Sequence, residues 1–432
     1  MSMPSDRSIR RALCLVALLA ALAANDSRAA SIREVKGKHF TLVTDVASSP
    51  AVDGLPDVFD QALPQWRTYF QVDADKEPDW QVTGYLIQSR ERFEQAGLIP
   101  KDLPKFRNGF SHADKFWFNE QTSEYYRRHL MLHEGTHCFM VSFLGGMGPP
   151  WYAEGMAELM ATHRWSGGKL TLNYYPRDVA EVPRLGRIKL VQDAFQEARA
   201  LTLPKVMAYD DRAHLENEPY GWCWAAAAAL DNYPRYRDRF RALAPEAAAN
   251  DFTERLQTAL GDDWPLAQEE WQVFIANIEH GYDFARMAID FKPGAPLKAG
   301  AADVRVAADR GWQSSVRLEA GHTYRLTASG RYQLAKEPQP WMCEPGGVTV
   351  EYYHGQPLGV LLAAVRSDRA NPAKISPLIK PIVIGLTNEL QVGESGTLYL
   401  RINDSAGKLA DNSGSLRVKI VDEAAADTAT KK

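Results

Sequence analysis

Residues Leu132–Thr162 read LHEGTHCFMVSFLGGMGPPWYAEGMAELMAT, and how that stretch folds decides how the rest of the chain is read. His133-Glu134-Gly135-Thr136-His137 is an HExxH. On a helix, positions i and i+4 share one face and stand about one turn apart along the axis. From that spacing two imidazoles reach a single zinc ion, and the glutamate beside them is placed to handle a water proton. A catalytic zinc keeps one position open for water, so one further protein ligand is needed. Glu154 is the candidate, near the start of a second helix that opens around Pro149-Pro150-Trp151, since proline suits a first helical turn. Between the two, Leu144-Gly145-Gly146-Met147-Gly148 stops the first helix and lets the chain turn back. Helix, glycine turn and helix then bring three ligands to one point.

The same residues resemble the gluzincin branch of the zinc metallopeptidases, where an HExxH, a turn and a W-x-x-E-G helix carry the site. The likeness is closest to the bacterial peptidase MA-like families, in which a motif of the form W-x-x-E-G-x-A-E recurs; here Trp151–Glu158 reads WYAEGMAE. The resemblance implies a zinc-dependent hydrolase of peptide bonds, with His133, His137 and Glu154 on the metal and Glu134 as general base. Glu158 lies one turn beyond Glu154 and points the same way, so it is a rival third ligand. The resemblance favours Glu154, which leaves Glu158 to accept the distal N–H of His133 or His137 and fix its tautomer. Tyr220-Gly221-Trp222-Cys223-Trp224-Ala225 opens a strongly apolar helix, similar in position to the Y-x-x-x-W helix behind the site in that family. Tyr220 is the first candidate for a phenol that stabilises the oxyanion, with Tyr152 and His214 as rivals. His129, a turn before the pair, reads as structural, and Cys138 as a buried thiol.

Length and composition frame this reading. A chain of 432 residues suggests two or three domains, each large enough for its own core. A net charge of −4 and the lack of any basic run offer no electrostatic footprint for nucleic acid. Arg7, Arg10 and Arg11 precede the apolar run Ala12–Ala24, with small residues near Ser27-Arg28-Ala29-Ala30. That pattern is a secretory signal peptide over residues 1–30, its apolar run too short to span a bilayer. The expected mature protein is therefore exported, to the periplasm or the medium, without a membrane span. Cys14 would leave with the signal, so Cys138, Cys223 and Cys343 allow at most one disulfide.

Along the chain, strands are expected at Lys38–Asp45 and Trp80–Gln88, with helices at Val58–Phe70 and Arg90–Ala96. Lys115–Asn119 (KFWFN) reads as an aromatic strand, and as an exposed edge it would bind an extended peptide by strand addition. Ser123 or Thr122 caps the HExxH helix. Helices then follow at Leu190–Ala200, Tyr220–Asn232, Tyr236–Ala242, Phe252–Leu260 and Leu266–Ile278. The expected architecture is α+β: a zincin-like unit over residues 31–290, with a small mixed N-terminal lobe and a helical lobe. After a linker at residues 291–303, the period changes to two, which predicts an all-β, jelly-roll-like sandwich over residues 304–422, with one of its strands at Pro381–Thr387. Residues 423–432 read as a disordered tail.

Near the end of the sandwich, Thr397–Asp404 reads TLYLRIND and Asp411–Ser415 reads DNSGS. This resembles the calcium-dependent galactophilic lectins of bacteria. It implies Asp404, Asp411 and Asn412 as calcium ligands, and through the ion a glycan partner; oxygen donors are what calcium takes. Expected partners are thus a peptide or protein substrate and a glycan. Two other functions remain open at this stage: a zinc hydrolase of another amide or ester, and a secreted carbohydrate- or surface-binding protein on an inactive metallopeptidase fold.

Overall fold

Three central parallel strands organise the N-terminal half. The sheet consists of β1 (Arg33–Lys36), β2 (Phe40–Thr44), β3 (Val82–Ile87), β4 (Gly109–His112) and β5 (Lys115–Asn119), in spatial order β1-β2-β3-β5-β4. β2, β3 and β5 run parallel, while β1 and β4 close the two margins antiparallel. These features come from a computed structural model that describes residues 31–424, apart from positions 77, 211, 213–215 and 370. The signal peptide expected over residues 1–30, most of the expected tail, and His214 lie outside the described residues.

Parallel neighbours need a long crossover. Between β2 and β3 that crossover is α1 (Leu55–Phe70), whose buried stripe includes Val58, Phe59, Ala62, Trp66 and Phe70. Phe59 stacks on Phe40 of β2 at 4.7 Å between ring centroids, so helix and sheet share one aromatic core. The HExxH helix, α2 (Glu124–Leu144), packs beside α1, with Phe139 5.8 Å from Trp66. α2 begins at Ser123, whose Oγ accepts from Tyr126 N at 3.3 Å and satisfies one orphan amide of the first turn. It ends at Gly145, at φ 79°, a left-handed backbone that favours glycine. The chain then turns into α3 (Pro150–Ala161), with Pro149 as N-cap.

Three more helices complete this half: α4 (Arg187–Gln196), α5 (Asn217–Asn232) and α6 (Trp264–Asn277), with shorter helices between them. α5 is apolar on every side, with Trp222–Leu230 all buried, as a helix at the centre of a lobe must be.

The C-terminal half is a sandwich. One sheet orders Gly346–Tyr353, Gln356–Ser367, Gly396–Ile402, Gln313–Leu318 and Ala295–Pro296, with Ile382–Val383 also paired to Gln356–Ser367. The other orders Thr387–Gln391, Thr323–Ser329, Ser415–Asp422 and Ala301–Ala307. Leu361, Ala363, Leu398 and Leu400 face Leu326, Val418 and Ile420 across the core. The outer face of the larger sheet is covered too: Val360, Leu362, Ala364 and Tyr399 pack with Trp312 on Val273 of α6. A strand covered on both faces reads as a continuous apolar run, and Leu358–Ala364 is buried throughout. The junction carries polar ties: Arg366 Nε donates to Glu269 Oε2 at 2.8 Å, and Gly407 N to Glu279 Oε1 at 2.8 Å.

The chain is thus α+β, a mixed helical half followed by a β-rich half. Three local expectations change. Residues 291–303 are not a free linker, since Ala295 and Pro296 pair in parallel with Val316 and Arg317, and Ala301 begins a strand. The strand expected over Pro381–Thr387 is two short ones, Ile382–Val383 and Thr387–Gln391, in different sheets. Lys115–Asn119 is not the sheet's edge: β3 and β4 flank it, and Phe116, Trp117 and Phe118 are buried. The edge is β4. Among the described residues, no helix is long and apolar enough to cross a membrane.

Candidate metal centre

α2 and α3 meet at His133, His137 and Glu154. The two histidines, one turn apart on α2, face each other with Nε2 atoms 3.2 Å apart. Glu154, in the second turn of α3, sets Oε2 at 3.3 Å from His133 Nε2 and 3.6 Å from His137 Nε2. Ligand atoms about 2.0–2.1 Å from a tetrahedral zinc stand about 3.3 Å from one another. The three separations here, 3.2, 3.3 and 3.6 Å, are close to the edges of such a tetrahedron. Glu154 Oε2, one corner of this triangle, is buried and accepts no well-formed hydrogen bond; its near neighbours are the two imidazole nitrogens.

The electrostatics agree with a cation there. Burial opposes charge on His133, yet Glu154 and Glu158 outweigh it and lift the imidazole to about 10. Burial likewise opposes charge on Glu154, and the two histidines hold its carboxyl well below the usual range. Two imidazole nitrogens and a carboxylate oxygen also form a donor set that suits zinc. The residues present fit the ion.

Glu134 lies one residue beyond His133 and is 5 % exposed. β4 lies against it: a Cβ on Gly109 would come within 2.3 Å of Glu134 Oε1, so any larger residue there would push the Glu134 carboxylate out of its present position. Burial raises the Glu134 carboxyl, against the pull of His133 and His137. His133, Glu134, His137 and Glu154 line a cavity of about 440 Å³, together with Gly109, Ser111 and Tyr220. Tyr220, half-buried near the start of α5, has its ring centroid 5.8 Å from that of His133. Burial and then the charge of Glu154 push its phenol above the ordinary value, so it stays an O–H donor.

Behind the triangle, Glu158 Oε1 lies 3.2 Å from His133 Nδ1, and Oε2 lies 3.2 Å from His129 Nε2. Arg187 grips the same carboxylate with both arms, Nε to Oε2 and Nη2 to Oε1, each at 2.7 Å. His129 is fully buried and its Nδ1 lies 3.1 Å from the Ala161 carbonyl, which ties α2 to the end of α3.

Of the sequence-derived candidates, His133, Glu134, His137, Glu154, Glu158 and Tyr220 come together. Tyr152 does not: it is fully buried in the core, its ring 4.1 Å from that of Phe252. Cys138 faces the Lys115 carbonyl rather than the triangle, and Cys138, Cys223 and Cys343 are all buried free thiols. Arg187, Gly109 and Ser111 escaped sequence reasoning; the i+4 step from Glu154 to Glu158 was the signal that a buried carboxylate there would need a cation.

Of the three expected calcium ligands, Asp404 and Asn412 meet each other in a hydrogen bond. Asp404 Oδ2 accepts from Asn412 Nδ2 at 2.7 Å, and Oδ1 from Ser405 N at 2.7 Å. Asn412 Nδ2 also donates to the Ala308 carbonyl at 3.1 Å, so acceptors on both sides identify the group facing Asp404 as NH2 and not oxygen. Asp411 Oδ2 accepts from Lys336 N at 3.4 Å. Together these contacts make a hydrogen-bonded turn, and nothing in it supports the calcium expectation.

No family model matches the chain, and no curated protein matches it. Among solved structures, the EclA N-terminal domain, a PllA-like lectin, is 23% identical over 29% of this chain and 100% of its own, with a TM-score of 0.21. The periplasmic inhibitor of g-type lysozyme from Aeromonas hydrophila is 10% identical over 31% of this chain and 97% of its own, at 0.19. An aminopeptidase N family protein from Idiomarina loihiensis is 11% identical over 89% of this chain and 68% of its own, at 0.31. At these scores the likenesses carry no weight for what the chain does.

Proposed function

We propose that this chain is an exported zinc-dependent peptidase. The donor triangle of His133, His137 and Glu154 carries the reading, because its edges match a zinc tetrahedron and its carboxylate oxygen accepts no well-formed hydrogen bond. Bound there, zinc would acidify a water and polarise the scissile carbonyl. Glu134 Oε1 is the general base: it takes the water proton and passes it to the leaving amine nitrogen. Burial in the cavity raises its carboxyl toward the range in which one group does both. The Tyr220 O–H donates to the developing oxyanion. β4, the margin of the sheet on the side of the cavity, offers its main chain to an extended substrate.

Export rests on the residue 1–30 pattern. The sandwich is assigned a packing role, because the outer face of its larger sheet is spent on α6. Elemental analysis of the full chain beside Glu154→Ala tests the centre, and a peptide library cleaved by wild type but not by Glu134→Gln tests the reaction. One zinc per wild-type chain, largely lost in Glu154→Ala, is expected. A wild-type chain purified without chelators that takes up no supplied zinc ends this reading.

A further inference from the structure

Two overlapping donor sets meet on α2, and His133 belongs to both. Its Nε2 faces His137 and Glu154, while its Nδ1 faces Glu158. His129, His133 and Glu158 form a second group whose ligand atoms lie within 4.8 Å of one another, as do those of His133, His137 and Glu154. Each group offers two imidazoles and one carboxylate. Donor chemistry alone does not choose between them.

Arg187 does. As the first residue of α4, its guanidinium covers both oxygens of Glu158 in a fork, at 2.7 Å each. A metal ion in the second group would have to break that fork and sit beside a fixed positive charge among fully buried side chains, where repulsion is poorly screened. Glu154 has no such guard, since its Oε2 has no hydrogen-bond partner. The fork also holds Glu158 Oε1 3.2 Å from His133 Nδ1, so that Nε2 is the nitrogen turned to His137 and Glu154. The same guanidinium lies 5.4 Å from the centroid of the Tyr220 ring, so one residue touches both the outer support of His133 and the wall of the cavity.

We propose that Arg187 is a positioning residue that withdraws Glu158 from the second donor set and thereby commits His133 to the first. The inference rests on the zinc reading above. Its test is zinc affinity, by competition with a chromophoric chelator, together with the visible spectrum of the cobalt-substituted full chain. Wild type and Arg187→Met are each compared alone, with Glu154→Ala and with His129→Ala. In the wild-type background, Glu154→Ala is expected to weaken zinc severely, while His129→Ala leaves zinc in place.

In the Arg187→Met background the released carboxylate recruits the second set. There Glu154→Ala is tolerated and His129→Ala is not, and the cobalt spectrum shifts. Arg187→Lys, which keeps the charge, retains the wild-type pattern. The same dependence on Glu154 and His129 in both backgrounds overturns the proposal, whatever happens to thermal stability, which a purely structural arginine would also lower. If Arg187→Met does not fold, Glu158→Gln is the second measurement. A loss of about 10- to 100-fold in zinc affinity supports the role and an unchanged affinity overturns it. Wild type without zinc affinity would fail the parent reading, and that outcome is distinct from both.

Discussion

Two clusters in this chain hold acidic and nitrogen-bearing side chains at close range, and they end as opposites. At His133, His137 and Glu154 the ligand atoms point at one another, Glu154 Oε2 accepts no well-formed hydrogen bond, and the Glu154 carboxyl is held low despite burial. At Asp404 and Asn412 each donor meets an acceptor, and burial raises the Asp404 carboxyl to about 6. The first environment favours a negative charge waiting for a cation; the second favours a proton. Residue types do not separate a site from a turn. What separates them is whether the carboxylate is already hydrogen-bonded: Asp404 accepts from Asn412 and Ser405, whereas Glu154 Oε2 accepts no well-formed hydrogen bond, although Asn412 Oδ1 is itself a buried oxygen without a partner.

The sharpest way to break this contrast is at the first cluster. His133→Ala should lose both zinc and peptide hydrolysis, whereas Glu134→Gln should keep zinc and lose about 10²–10⁴-fold in kcat. Metal analysis and steady-state kinetics on the two variants check this, and equal turnover in the glutamine variant would remove Glu134 from the mechanism. Tyr220→Phe comes next, with an expected loss of about 10²-fold, concentrated in kcat rather than KM because an oxyanion donor acts in the transition state. An unchanged kcat would return Tyr220 to the role of a ring beneath Arg187.

How far these features could be read from the sequence follows the range of the interactions. The HExxH step and the glycine turn are local, so His133, His137, the Ser123 cap and the Gly145 stop were all legible. Arg187 was not: it meets Glu158 across a long loop, and the expected helix began at Leu190 instead of Arg187, which placed the key residue outside the element. β4 was missed because GFSH is too short to show a period, and the edge was assigned to its aromatic neighbour. The sandwich strands were readable where one face is solvent-exposed, whereas the pairing of Ala295-Pro296 with Val316-Arg317 has no local signature.

A smaller effect sharpens the comparison by pH. The folded Asp404 carboxyl titrates at about 6, above its ordinary value of 3.8. Between these values the unfolded chain ionises first and the folded chain binds more protons, so stability falls as pH rises through that window. The loss from this group is about 3 kcal/mol, complete above pH ~6. Glu154 has the opposite sign: its depressed carboxyl stabilises the fold above the ordinary value and loses that contribution as pH falls. Denaturant titrations of wild type and Asp404→Asn from pH 4 to pH 7 should differ in slope, and parallel curves would show that the turn does not favour its protonated form.

The smallest expected effect is none at all, and it bears hardest on the contrast. For calcium to enter at Asp404, the Asn412 amide would have to rotate its oxygen inward, giving up two donated hydrogen bonds, to Asp404 and to the Ala308 carbonyl. Asp411 would in addition give up its bond from Lys336 N. A hydrogen bond to a charged group is worth about 1.5–3 kcal/mol and a neutral one about 0.5–1.5, so the loss of the two Asn412 bonds alone starts the ion at a deficit of about 2–4 kcal/mol. A site filled at 1,000 times its Kd stabilises the fold by about 4.1 kcal/mol, easily seen as a shift in Tm. Millimolar calcium is therefore expected to leave Tm where it was. A rise that Asp404→Asn abolishes would show that the turn opens for the ion, and that hydrogen bonds already made do not disqualify a cluster as a metal site.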